Sequence, residues 1–194
     1  MTTPGVTLTH HGVAVFLDRD GTLNIERNYL SNPDQLVLYP SVPSALSRLQ
    51  SAGCQLFVVT NQSGIGRGYY TEEDMHRVNR RLLDLLEPHG VHFTQIYFAP
   101  ESPEAPSRGR KPSPQFLFDA RDEFGVDLRR SYMVGDKIAD LECGWNAGVR
   151  TSILVRTGYG AETERRDPET VRRAVVVEDI GAAAEFILGR PPSP

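Results

Sequence analysis

Apolar residues along the chain fall into two rhythms. Short apolar runs rich in β-branched residues, VAVFL (13–17), QLFVVT (55–60), FTQIYF (93–98), SYMVG (131–135) and TSILV (151–155), fit buried strands. Between them, segments at 41–53, 71–88, 113–124 and 137–147 space their apolar positions with the helical period. Boundary residues agree with this division. Thr71-Glu72-Glu73-Asp74 resembles a capping box, and Gly53, Gly90, Gly125 and Gly148 stand where helices should stop. A weaker strand, AVVVED (174–179), leads to a last helix at about 181–188, and the tail GRPPSP should fray. No internal repeat or linker divides the chain. The expectation is an extension over 1–12, one domain over 13–190 and a flexible tail over 191–194.

Strand and helix alternation implies an α/β fold: a Rossmann-like three-layer sandwich around a parallel sheet, joined by right-handed crossovers. In such sheets ligands bind beyond the carboxyl ends of the strands, near the point where strand order reverses. Chemistry should therefore follow each apolar run, and it does. Asp18 and Asp20 follow the first; Thr60, Asn61, Gln62 and Ser63 end or follow the second. The loop after the third leads to Arg110 and Lys111, and the fourth ends in Gly135, Asp136, Lys137 and Asp140.

Composition narrows the class. The 194 residues are 39% hydrophobic and 24% charged, the balance of a soluble globular protein. A net charge of -4 with both signs interspersed favours neither nucleic acid nor an anionic membrane. The two cysteines, Cys54 and Cys143, adjoin apolar runs and read as reduced core thiols. The start lacks a signal-peptide pattern, and no apolar run nears the roughly 18 residues of a membrane span. A cytoplasmic protein with no membrane or nucleic-acid partner is expected, and nothing compels it to be other than a monomer.

Acids, hydroxyl and amide donors and fixed cations at one sheet edge suit phosphoryl transfer. A carboxylate can attack phosphorus, dividing one difficult step into two. Aspartates clustered without histidine or cysteine offer hard oxygen ligands to Mg2+. A lysine and a hydroxyl or amide can hold the remaining oxygens, and a second carboxylate two residues on can move the proton.

DRDGT (18–22), TNQSG (60–64), RKP (110–112) and GDKxxD (135–140) resemble, in order and spacing, the four motifs of the haloacid dehalogenase (HAD) phosphatase superfamily. The arginine inside DRDGT, the run VVTNQSGIGRGYYTEED, and SYMVGDK with a later LVRTG resemble the branch of heptose-bisphosphate 7-phosphatases and histidinol-phosphatases. The similarity spans about residues 13 to 160. It implies a Mg2+-dependent phosphomonoesterase acting on a small phosphorylated metabolite through an aspartyl-phosphate, with a heptose bisphosphate as leading substrate and histidinol phosphate as runner-up. Asp18 becomes the nucleophile and Asp20 the acid/base. Mg2+ takes Asp18, Asp136 and the backbone carbonyl of Asp20. Thr60, Asn61 and Lys111 steady the phosphoryl group. Arg110 helps recognise substrate, with Gln62, Ser63 and the loop Glu26-Arg27-Asn28-Tyr29 around it. Lys137 neutralises charge near the metal acids, and Asp140 orients it.

Two departures matter. The branch usually carries a Cys/His zinc loop before the Arg-Lys pair, whereas FAPESPEAPSRGRKP has Ala99 and Glu101 where the first Cys and His would fall. Tetrahedral zinc wants thiolate or imidazole ligands, so no structural zinc is expected. The five prolines from Pro100 to Pro114 stiffen the loop instead. Neither Thr22–Thr60 nor Phe98–Arg110 has room for an inserted domain, so the site should be capless. A polynucleotide 3′-phosphatase, known among capless relatives, would want a basic track that this chain lacks. GIGRG (64–68) misses the third glycine of a dinucleotide loop and reads as a flexible loop beside the site, with Arg67 near substrate.

Overall fold

Alternation along single strands sets the layers. The structure, a computed structural model, describes residues 12–189. In β1 (Ala14–Leu17), Val15 and Leu17 join one buried cluster while Ala14 and Phe16 join another on the opposite face. β2 (Gln55–Asn61) repeats this, with Leu56 and Val58 against Phe57 and Val59. A strand covered on both sides needs apolar residues at successive positions, which is why β1 and the middle of β2 are continuous apolar stretches.

β3 (Gln95–Ala99), β4 (Tyr132–Gly135), β5 (Thr151–Val155) and β6 (Val175–Val177) complete a sheet of order β3-β2-β1-β4-β5-β6, every pair parallel. The chain steps outward from β1 to β3, then returns to the other side of β1 for β4. The direction of winding changes between β1 and β4, and a cleft opens there beyond the carboxyl ends. α1 (Val42–Ser51), α3 (Glu72–Leu86) and α8 (Ile180–Ile187) cover one face, and α4 (Gln115–Phe124) and α5 (Ile138–Ala147) the other. This is the expected three-layer α/β architecture.

Local signals hold in detail. Thr71 Oγ1 accepts the Asp74 N–H at 3.2 Å while Asp74 Oδ2 accepts the Thr71 N–H at 2.8 Å, closing the capping box of α3. Three short helices were not anticipated: α2 (Ser63–Gly66), α6 (Gly160–Arg166) and α7 (Pro168–Val171). They are too brief or too polar to show an apolar period. α2 corrects the reading of GIGRG as a flexible loop, since it is a helical turn whose Gly66 N–H donates to Pro100 O at 2.8 Å.

Among the described residues, only turns, a 3-10 turn at Pro33–Gln35 and α1 separate β1 from β2, and only a loop separates β3 from α4, leaving no cap. Both cysteines are buried and free. Among the described residues no helix is long and apolar enough to cross a membrane. The expected tail, and all of the expected extension but Gly12, lie outside the described residues.

Candidate active site

β1 delivers Asp18 to the cleft floor, where its N–H still donates across to Val134 O of β4 at 2.9 Å. The chain then turns sharply: Arg19 O accepts the N–H groups of Leu23 at 2.9 Å and Asn24 at 3.1 Å. Gly21, at φ 89, makes the turn possible. Its second reason is space, since a Cβ there would stand 2.2 Å from Asp136 Oδ2. A Cβ on Gly158, beyond β5, would stand 2.3 Å from the same oxygen. Two glycines from distant loops thus close on one carboxylate.

Lys111 is the cation at the centre. Its Nζ lies 2.7 Å from Asp18 Oδ1, 2.6 Å from Asp140 Oδ1 and 2.6 Å from Val59 O, and the side chain is only 2% exposed. Asn61 at the end of β2 fixes its backbone, accepting the Lys111 N–H at 2.9 Å and donating to Lys111 O at 3.1 Å. Burial works against the ammonium, but Asp140 and Asp18 outweigh it and hold the Lys111 pKa above its ordinary value. Asp140 therefore orients Lys111, which corrects the expectation that it orients the Lys137 side chain. To Lys137 it offers only Oδ2 as acceptor for the backbone N–H, at 2.9 Å, at the start of α5.

The Lys137 ammonium sits over the acids from the solvent side, 3.3 Å from Glu26 Oε2 and 3.5 Å from Asp136 Oδ1. Burial pushes Asp18 upward, eased by Lys111 and reinforced by Asp140. Asp136, wholly buried beside Asp18 and Asp140, is pushed up to about 8, chiefly by loss of solvent.

Asp20 has the opposite setting. Its Oδ2 accepts from Arg19 Nη2 at 2.8 Å and Gln62 Nε2 at 3.0 Å, and its Oδ1 from Asn24 Nδ2 at 3.0 Å. Burial would raise its pKa, but the Arg19 guanidinium and these donors prevail and hold it below the usual carboxylate value. Arg19 is fully buried and also donates to Asn79 Oδ1 of α3 at 2.8 Å and to Gln62 Oε1 at 3.0 Å. Gln62 in turn donates to Thr60 Oγ1 at 2.8 Å and accepts from Tyr70 OH at 2.7 Å. Adjacent carboxylates thus have pKa values driven apart by their surroundings, the mark of separate roles.

The cleft encloses about 340 Å³. Of the expected residues, Asp18, Asp20, Glu26, Asn28, Tyr29, Thr60, Asn61, Gln62, Ser63, Arg110, Lys111, Lys137 and Asp140 line it, with Asp136 buried behind. Arg27 is a correction: it is exposed and faces a separate hollow with Asp34 and Gln35. Arg67 also departs from expectation, pairing with Glu104 at 3.3 Å outside the cleft lining. Tyr70 and Tyr159 line the cleft unannounced, because a lone tyrosine carries no motif. The loop bearing Arg110 is tied by its own polar groups: Ser107 Oγ donates to Glu101 Oε2 at 2.6 Å and accepts the Arg110 N–H at 3.1 Å.

The donors suit a hard divalent cation. Oxygens of Asp18, Asp136 and Asp140 lie within 4.8 Å of one another, and Asp136 Oδ1 is buried with no hydrogen-bond partner. Lys111 and the Lys137 N–H already engage both Asp140 oxygens, so Asp18 and Asp136 are the two acids left for a metal.

A family profile described as HAD-hydrolase-like matches residues 109–183. A D-glycero-β-D-manno-heptose-1,7-bisphosphate 7-phosphatase of Mesorhizobium japonicum is 40% identical, with 93% of each chain covered. A D-glycero-D-manno-heptose-1,7-bisphosphate 7-phosphatase of Chlorobaculum tepidum is 36% identical, over 92% of this chain and 96% of that one. The chain belongs to the haloacid dehalogenase phosphatases, in the same family as these relatives. A solved member, the D,D-heptose 1,7-bisphosphate phosphatase of B. bronchiseptica complexed with magnesium and phosphate, superposes with a TM-score of 0.84 at 30% identity, covering 91% of this chain and 98% of that one. The haloacid dehalogenase fold thus extends over nearly the whole described chain.

Proposed function

We propose that the chain is a Mg2+-dependent phosphomonoesterase that removes the 7-phosphate of a D-glycero-D-manno-heptose 1,7-bisphosphate. One observation carries the chemistry: Asp18 stands at the switch point of the sheet, held by the buried Lys111 and backed by an oxygen of Asp136 that accepts no hydrogen bond. The names of the relatives carry the substrate.

Asp18 attacks phosphorus, forming a carboxyl O–P bond as the bond to the sugar oxygen breaks. Asp18, Asp136 and the Asp20 carbonyl would hold Mg2+, which would supply charge neutralisation for the phosphate when bound. Lys111 and Thr60 hold phosphoryl oxygens in the transition state, and Asn61 fixes Lys111. Asp20 gives its proton to the departing alkoxide, then takes one from the water that cleaves the aspartyl-phosphate and frees inorganic phosphate. Its resting form is the carboxylate, suited to that second half. A bound dianionic ester beside it favours the proton uptake needed for the first. Glu26, Asn28, Tyr29, Ser63, Arg110 and Lys137 surround the alcohol portion. We further read the protein as a cytoplasmic monomer working on small sugar phosphates, a role consistent with its charge of -4.

A panel of phosphorylated metabolites with Mg2+, including histidinol phosphate and a 3′-phosphorylated oligonucleotide, tests the substrate. The heptose bisphosphate should give the highest kcat/KM; a higher value for either alternative overturns the assignment. Asp18→Asn should abolish turnover of p-nitrophenyl phosphate while circular dichroism stays unchanged, and retained activity would rule out the covalent route.

A further inference from the structure

Tyr159, in the loop after β5, has no part in the chemistry above, yet it is fixed at three points. Its backbone N–H donates to Asp136 Oδ2 at 2.8 Å. The Lys137 ammonium lies 5.0 Å from its ring centroid, within cation–π range. Its phenol donates to Asn28 Oδ1 at 2.8 Å, tying this loop to the one after β1. The loop that receives it needs such a tie. Asn28 and Tyr29 have φ values of 50 and 61, two successive non-glycine residues in the left-handed region, where each costs free energy unless its surroundings hold it. Glu26 adds to the same fastening, accepting the Asn28 N–H at 2.8 Å while pairing with Lys137 at 3.3 Å.

Space gives a second, separate observation. Tyr159 and Lys137 border two cavities at once: the cleft of about 340 Å³ that holds Asp18, and a neighbour of about 620 Å³ lined by Ile138, Thr163 and Arg166. The two residues thus stand on the border that both hollows share.

We infer that Tyr159 is a specificity-determining residue. Its ring walls the cleft off from the neighbouring cavity, so esters with a broad alcohol portion are excluded. Its hydroxyl clasps the Glu26–Tyr29 loop in the shape that receives a slim one. The inference rests on the phosphatase reading above but not on the identity of the sugar.

Tyr159→Ala removes wall and clasp; Tyr159→Phe keeps the ring and removes the clasp. In Tyr159→Ala, kcat/KM for adenosine 5′-monophosphate relative to p-nitrophenyl phosphate should rise about tenfold, the scale on which pocket shape discriminates. Tyr159→Leu, which keeps apolar packing in a shorter side chain, should move the ratio the same way if the alanine variant does not fold. A ratio unchanged in the folded variants overturns the wall. In Tyr159→Phe, amide hydrogen exchange across residues 26–30 should quicken about threefold or more, as loss of one modest hydrogen bond implies. KM for the heptose bisphosphate should rise by a larger factor than kcat falls. Exchange that matches wild type overturns the clasp whatever the substrate proves to be. A wild-type protein inert toward every ester would overturn the phosphatase reading and the wall together, while the exchange measurement still decides the clasp.

Discussion

Replacing Asp136 by Asn should make the metal-free protein more stable while destroying its function. The carboxylate is fully buried, within 4.8 Å of two other acids, and one of its oxygens has no hydrogen-bond partner. Its pKa is pushed from 3.8 to about 8, mainly by burial. An acid whose pKa rises on folding takes up a proton as the chain folds, so its cost is absent below pH 4, grows through the interval and levels off above pH 8. At pH 7 the interval covered is about three units, which at 1.36 kcal/mol per unit is about 4 kcal/mol. Because Asp18 shares the same field, we expect a measured gain of about 2–4 kcal/mol, or roughly 5–15 °C in Tm for a domain of this size. An amide in place of the carboxylate keeps an acceptor for the Tyr159 N–H, so the loop after β5 is not released. The assay is thermal and urea unfolding of both proteins in chelator between pH 5 and 9, repeated with Mg2+. The gap should be small at pH 5, widen to pH 8 and then hold. Added Mg2+ should raise the wild-type Tm and leave the variant where it was. A variant no more stable than wild type in chelator at pH 8, or a gap indifferent to pH, would refute the reasoning.

Two further outcomes follow from the same geometry. Lys111→Met strands Asp18 and Asp140 in a buried site and should cost about 3–5 kcal/mol in urea unfolding, with turnover lost as well. Gly21→Ala would put a Cβ 2.2 Å from Asp136 Oδ2 at a φ of 89; Mg2+-dependent hydrolysis of p-nitrophenyl phosphate should fall by at least about a hundredfold, as displacement of a catalytic group implies.

The parts of this fold legible in the sequence are those written in periodicity and local chemistry. The central strands β1 and β4 are buried at every position and read as continuous apolar runs, while the edge strands β3 and β6 are only partly covered and give the weaker signal; the Thr71 box and Gly90, at φ 67, mark ends that any helix of this kind would need. Strand-end residues converge because a parallel sheet brings them to one edge, so the placement of Asp18, Thr60 and Asp136 follows from order alone. What stayed hidden depends on side-chain direction. Arg27 lies between two lining residues, Glu26 and Asn28, yet is exposed and borders a different hollow, a direction that sequence neighbours do not reveal. Asp140 stands one helical turn from Lys137, which suggested that pair, but Lys111 arrives from another loop and takes the carboxylate. Arg19 enters the sequence reading only as part of the DRDGT resemblance, with no partner assigned to it. Its burial could be inferred only from Asn79 and Gln62, acceptors more than forty positions away.

The pairing of β1 with β4 has a consequence during synthesis. Leu17 lies opposite Val134, so Asp18 meets Asp136 only after the carboxyl-terminal half has emerged and docked. β2 and β3 can add to β1 beforehand, because they come next in the chain. A nascent chain halted before β4 would hold Asp18 without Lys137 or Asp136, and its β1 edge would be bare. Hydrolytic competence is therefore withheld until late in translation, and the exposed edge of β1 is the surface that an incomplete product would offer to chaperones or to its own copies.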